Sequence, residues 1–375
     1  MTIVEVNDKS TEEKFIALPR NLYKNDPNFI CPLDNDIKSV FNPERNNFYS
    51  HGICKRWIVN DSGNKTIGRI AAFINYTKNK NPEFIIGGIG FFECINDEKV
   101  AFLLFDTAKS WLKQNNAKAM DGPINFGEND KYWGLLIEGF IPPSMGMNYN
   151  PPYYQNLFEN YGFIKQYDQF TNVIDLNKPF PDRFNKIAEW IANKPEYSFR
   201  HFEKKHFEKF ASDFQEIYND GWSEFEDFSP IKLETIRQSF RDMKPIVDEK
   251  IIWFTYYNNE PVAFILALPN INQILKPLNG KMNLLSKLKF LWYKKTTTIH
   301  RIRFIVMGCK KKFQNKGIES GMIKKLELEV LPRNTIKEVE LAWVGDFNKK
   351  MIALHEATGA QREKVHRTYR YTFLN

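Results

Sequence analysis

The chain has 375 residues, of which 42% are hydrophobic and 26% charged, and carries a formal net charge of +8. That length makes two domains the natural expectation, and the composition is that of a globular protein, excluding a disordered or collagen-like chain. The positive charge is compatible with an anionic partner such as a nucleotide, RNA or an acidic lipid surface, but most lysines are interleaved with Glu and Asp, as on a solvated face; the exception is Lys310, Lys311 and Lys312.

Along the chain, a first strand is expected over residues 3–6. Ser10-Thr11-Glu12-Glu13 is a capping pattern for a helix running through Phe15, Leu18 and Leu22. Residues 56–59 and 66–73 flank Asn60-Asp61-Ser62-Gly63 and read as a hairpin. A glycine-bearing strand follows over 84–94, then a helix with Val100, Leu104, Ala108 and Trp111 on one face, then a short strand over 118–122. Residues 123–152 are rich in Gly, Pro, Asn and Tyr; so long a loop either carries function or covers a sheet edge. A Pro-rich turn and one amphipathic helix over 175–195 mark a domain boundary. This gives domains over 1–180 and 195–375.

The second domain is expected to hold helices over 206–220 and 231–243 and a hairpin, 250–257 and 262–268, around Asn258-Asn259. Residues 282–295 form a basic amphipathic helix. Such a helix can touch a membrane or close over a site, though the commoner arrangement packs its apolar face on its own domain. From Arg301 onward the pattern is strand (301–308), basic loop (309–317), helix from Ile318, strand (339–344), helix ending at Gly359, and strand (365–373). This is an α/β pattern whose loop leads into a helix N-terminus, where unpaired N–H groups favour an anion. Phe158, Glu159 and Gly162 repeat the spacing of His355, Glu356 and Gly359, so the fold reads as two copies of one α/β unit.

This last stretch resembles the Gcn5-related N-acetyltransferase (GNAT) superfamily. Gln314-Asn315-Lys316-Gly317-Ile318-Glu319 matches the family's loop signature at Gln314 and Gly317, with Glu319 where a small residue is usual. Residues 348–360 match its Asn, apolar helix, Tyr-Glu, Gly signature in spacing, with His355 in the Tyr slot. Over nearly its whole length the chain looks like bacterial proteins with two tandem GNAT-like domains, each a mixed, mostly antiparallel sheet flanked by helices.

The resemblance implies acyl transfer from acetyl-CoA, or another acyl-CoA, directly to a small-molecule amine or peptide. It implies CoA-binding residues at Val306, Met307, Gly308, Lys312, Gln314, Asn315, Lys316, Gly317 and Ile318, with Asn348 near the pantetheine. His355 stands where the general acid belongs, or else fills space between helix and sheet. Glu340 is a candidate base acting through water, or a buried salt-bridge carboxylate. Tyr369 and Tyr371, on one face of the last strand, line an acceptor cleft or belong to the core. The first domain is expected not to bind CoA, because Asp97 and Glu98 stand at its corresponding loop. Two alternatives are a Fem-like transferase using charged tRNA and a non-catalytic scaffold.

Neither a metal nor DNA is implied. Cys31, Cys54, Cys94 and Cys309 form no CxxC pair and are expected as reduced thiols. No apolar run reaches the length of a membrane span, and the N-terminus lacks the basic-then-apolar order of a signal peptide, so a cytoplasmic protein is expected.

Overall fold

The computed structural model describes residues 1–224 and 230–373; the last two residues of the expected second domain lie outside that range. The first half runs β1 (Thr2–Glu5), α1 (Lys9–Leu22), α2 (Asp34–Val40), β2 (Gly52–Asn60), β3 (Thr66–Asn75), β4 (Ile85–Cys94), α3 (Glu98–Gln114), β5 (Ala117–Gly122), β6 (Leu135–Glu138), α4 (Tyr154–Tyr161) and β7 (Ile164–Asp175). The second runs α5 (Asp182–Ala192), β8 (Tyr197–His201), α6 (Phe207–Trp222), α7 (Leu233–Met243), β9 (Ile252–Tyr257), β10 (Glu260–Pro269), α8 (Asn272–Leu275), α9 (Leu284–Thr296), β11 (Arg301–Cys309), α10 (Ile318–Val330), β12 (Glu338–Glu340), β13 (Val344–Gly345), α11 (Lys349–Ala357) and β14 (Gln361–Thr372).

Local chemistry accounts for most of these elements. Asp8 caps α1 by accepting from the Thr11 N–H at 2.8 Å, while the Thr11 hydroxyl accepts from the Asp8 N–H. The cap is therefore two residues earlier than Ser10. Asn258 and Asn259, both at positive φ, turn β9 into β10 with the two-residue geometry that suits the strand twist. In α3, Val100, Leu104 and Ala108 are fully buried against the sheet. Gly162 and Gly359 end α4 and α11 with φ of +104° and +77°, the left-handed close that a side chain resists. The repeat expected from the sequence is thus visible in the backbone.

Among the described residues the strands join into one sheet, ordered β1-β2-β3-β4-β5-β14-β7-β12-β11-β10-β9-β8, with β6 on β14 and β13 on β7. The two halves do not close separately. Each half's last strand sits beside the other's: β14 pairs with β5, and β7 pairs with β12. The two exchanged strands pair with each other along most of their length. One aromatic core lies under the first half, around Phe92, Phe105 and Phe158. The second half has cores on both faces, one beneath α5 and α10 and one beneath α6 and α7.

Candidate functional site

The site begins with a gap in the sheet. β11 and β12 run parallel for only three residue pairs, Arg301–Glu338, Ile302–Val339 and Arg303–Glu340. Beyond them β11 stays on β10, while the chain after β12 stays on β7, to which β12 is already paired, the Leu341 N–H donating to the Asn172 carbonyl at 2.9 Å. The strand expected over 339–344 is therefore two strands, β12 and β13, separated by residues 341–343. A bulge at Ile305, where Phe304 and Val306 pair with consecutive residues of β10, bends β11 as it leaves β12. The free edge of β11 and residues 342–345 face each other across the opening, as lining of one large cleft.

A basic loop closes one end. Gly317 caps α10 at φ +79° with no side-chain cap. The N–H groups of Ile318, Glu319 and Ser320 precede the first intrahelical bond, which the Gly321 N–H makes to the Gly317 carbonyl. Added to Gly317, a Cβ would lie 2.6 Å from Ile187 Cγ2 of α5, so a side chain there has to push Ile187 aside. Lys311, Lys316, Arg183 and Lys186 surround this end of the cleft. Lys310 does not serve it: its ammonium is turned inward onto Glu216 and Glu260.

Glu319 is half-buried in the same lining, and burial pushes its carboxyl above the usual range. Its charge competes with any phosphate held at the helix start. Like charges about 4 Å apart in water repel by about 1 kcal/mol, a factor of about five. If the helix start holds CoA phosphates, as the resemblance implies, Glu319→Ala is expected to tighten CoA binding about fivefold, read by calorimetric titration.

Val306, Met307, Gly308, Gln314, Asn315, Lys316, Gly317, Asn348 and His355 all line the cleft. Asn348 is already engaged, its Oδ1 accepting from the Met351 N–H at the start of α11. Lys312 and Ile318 are not in the lining; Lys312 is exposed, and Ile318 is buried in the core beneath α10.

His355 is 3% exposed, and its Nδ1 lies 2.9 Å from Asn172 Nδ2. An amide NH2 only donates, so Nδ1 accepts and the ring proton sits on Nε2. Burial pushes the imidazole down to about 4. At neutral pH it can donate an N–H hydrogen bond but does not carry the extra proton expected of a general acid. His366, equally buried, donates from Nε2 to the Asn148 carbonyl and is also pushed down to about 4 by burial. Both rings titrate near 6.5 when unfolded, so between pH 6.5 and 4 the unfolded chain binds more protons. Their contribution to stability is complete above pH 6.5 and lost as pH falls toward 4, by about 3 kcal/mol each. Denaturant melts at pH 7, 5.5 and 4.5 should show this loss, and His355→Gln should flatten it.

Three of the four catalytic candidates fall outside the cleft lining. Glu340 is fully buried. It accepts from Ser144 Oγ at 2.6 Å and Arg301 Nη1 at 3.2 Å, lies 3.1 Å from Arg303 Nε and is 3.9 Å from the buried Lys364 Nζ. It is held by three cations and has no lining surface, a placement that favours the second of the two roles open to it, a buried salt-bridge carboxylate. Tyr369 and Tyr371 share a face, but β14 lies beside β5, so that face belongs to the first half's core. Tyr369 packs on Phe158 and donates to Glu159 at 2.8 Å, and Tyr371 sits between Tyr161 and Phe163.

The cleft extends into the first half, to a total volume of about 2640 Å3. Phe48, Phe73, Ile124 and Phe126 line that arm, and Asn129, Asp130, Trp133 and Met145 come from the 123–152 loop. Trp343 Nε1 donates to the Asn129 carbonyl at 3.1 Å, tying the loop to the opening. The loop thus forms wall, not only sheet cover; its glycines and aromatics were the signal. In the first half's own helix start Asp97 caps the helix, accepting from the Lys99 N–H at 2.8 Å, so a carboxylate stands where an anion would sit.

A parallel strand pair that splays beside a glycine-turned helix start, present once in a doubled unit, is the architecture of the GNAT fold in tandem. A tandem GNAT protein from the clavulanic acid biosynthesis pathway superposes with a TM-score of 0.58 at 10% identity, over 99% of this chain and 98% of that one. No protein-family model matches the chain. Protein YghO of Escherichia coli K12 is 30% identical over 373 residues, 96% of this chain and 93% of its own, and the chain belongs to the same family, with the GNAT fold. It is also 28% identical over 379 residues to a protein named bacterial ceramide synthase, from Caulobacter vibrioides, covering 98% and 97% of the two chains. Among the described residues no helix is long and apolar enough to cross a membrane.

Proposed function

We propose that the protein is an N-acyltransferase that moves a fatty acyl group from its CoA thioester to the amino group of a long-chain amine. The observation that carries this is the opening between β11 and residues 342–345, ending at the uncapped N–H groups of α10. A helix start with positive side chains around it suits a pyrophosphate, and a strand edge with no ladder partner suits the amides of a pantetheine arm. Support for a lipid-like amide comes from the similarity to a chain named ceramide synthase, since a ceramide is a fatty amide of a long-chain base. It also comes from the aromatic and aliphatic arm of the cleft in the first half, which suits an alkyl tail. Acetyl-CoA, the expectation from the loop signature, remains the short end of the donor range.

In this scheme the amine nitrogen attacks the thioester carbon, and the carbonyl oxygen gains negative charge beside backbone N–H groups on the free edge of β11. Collapse breaks the C–S bond. The nitrogen gives up one proton to water, water returns one proton to the sulfur, which leaves as CoA thiol, and the product is an amide. His355, with its proton fixed on Nε2 by Asn172, donates a hydrogen bond to the departing sulfur without transferring an imidazolium proton. No covalent enzyme intermediate is required.

The test is incubation of the purified chain with acyl-CoAs from two to sixteen carbons and sphinganine, with thiol release and amide mass read together. Amide formed with equimolar CoA, rising with chain length, supports the proposal. CoA thiol without amide, or no turnover with any donor, contradicts it and favours a charged-tRNA donor or a non-catalytic protein.

A further inference from the structure

The exposed face of α9 is unlike the rest of the surface. Five of the fifteen large hydrophobic side chains exposed among the described residues lie on this one helix: Leu284, Leu285, Leu288, Leu291 and Trp292, each 59–76% exposed. At about 100° per residue they fall within an outward arc of about 120°. Lys287 and Lys294 flank one side of that arc and Lys289 the other, with Lys281 before the helix and Lys295 in its last turn. The opposite side is already used. Phe290 and Tyr293, with Met282 just before the helix, pack on Ile271, Leu275 and Leu278. The helix therefore presents a second apolar stripe that nothing among the described residues covers.

Charge decides what covers it. From Pro261 to Ile318 the sequence contains no Asp or Glu, and among the described residues Lys281, Lys287, Lys289 and Lys295 pair with no carboxylate. A second copy docking through this face would bring lysine flank against lysine flank, because a two-fold contact matches a patch with itself. An anionic bilayer supplies what is missing on both counts, acyl chains for the leucines and Trp292 and phosphates for the lysines.

We propose that α9 is a membrane-surface helix, lying in the headgroup layer of an anionic bilayer and docking the protein there without spanning it. The same small core that anchors α9 includes Met145 and Ile246, which line the cleft, so docking brings the cleft's wall next to the bilayer. The inference stands on the helix alone and not on the donor or acceptor proposed above.

It is tested without turnover, by cosedimenting the full chain with vesicles of phosphatidylglycerol and phosphatidylethanolamine, and with vesicles of phosphatidylcholine alone. Binding to the anionic vesicles is expected to exceed that to phosphatidylcholine by about tenfold and to weaken with salt. Leu288→Glu with Leu291→Glu, and separately Lys287→Glu with Lys289→Glu, should each remove most of it with unchanged melting temperature, since all four side chains are exposed. No binding to anionic vesicles, equal binding to both vesicle types, or equal binding by the variants overturns the proposal. So does a dimer in sedimentation velocity that the leucine variant disperses.

Discussion

Gly317→Asp should abolish CoA binding, weakening it by at least about 100-fold in calorimetric titration while leaving the chain folded. Three effects act together. Gly317 sits at φ +79°, where an L side chain is strained, and its Cβ would come within 2.6 Å of Ile187 Cγ2. The new carboxylate would also face the phosphates proposed to sit on the N–H groups of residues 318–320. Gly317→Ala separates these effects, because it carries the strain and the contact without the charge; its loss should be intermediate. The circular dichroism spectrum of both should match the parent, since the change is confined to the start of one helix. Parent-like CoA affinity in Gly317→Asp would place the donor elsewhere.

Glu340→Gln should lower stability severely and test the carboxylate's role. Glu340 is 0% exposed, with Arg301 and Arg303 on its two oxygens and Lys364 nearby. Glutamine keeps the shape and can keep the Ser144 contact, yet it leaves buried cations without their shared counter-charge. Glu363 offsets part of this: although burial disfavours its charged form, Arg301 and Lys364 hold its carboxyl below the usual range. Breaking a buried pair from one side costs about 3–5 kcal/mol, and in a chain of this size that lowers the melting temperature by about 5 °C. Differential scanning calorimetry gives the shift directly. An unchanged melting temperature with a large fall in kcat would instead return Glu340 to the role of base.

What the sequence showed and what it hid divide along the range of the interactions. The hairpin at Asn258-Asn259, the inward face of α3, the Gly317 turn and the paired helix ends at Gly162 and Gly359 are decided within a few residues, and each is where local chemistry puts it. Strand exchange is not local. Nothing near Tyr369 says that β14 will pair with Gly122 and not with its own half, and this is why the sequence left the two tyrosines open between cleft and core. The break between β12 and β13 was hidden for a similar reason: residues 338–345 are one strand by propensity, both pieces pair with β7, and they part where β11 stops pairing after Glu340. His355 was legible as a position but not as a charge state, because its depressed titration comes from burial. For α9 the sequence left membrane contact and packing on its own domain as alternatives for one apolar face; the helix has two such faces.

The most direct measurement is a crystal structure of the chain grown with CoA. The account predicts the pyrophosphate on the N–H groups of Ile318, Glu319 and Ser320, and the pantetheine arm between the free edge of β11 and residues 342–345. The thiol should point toward His355 and the arm lined by Phe73 and Phe126. CoA bound at the helix start behind Asp97, or outside the cleft altogether, would contradict it.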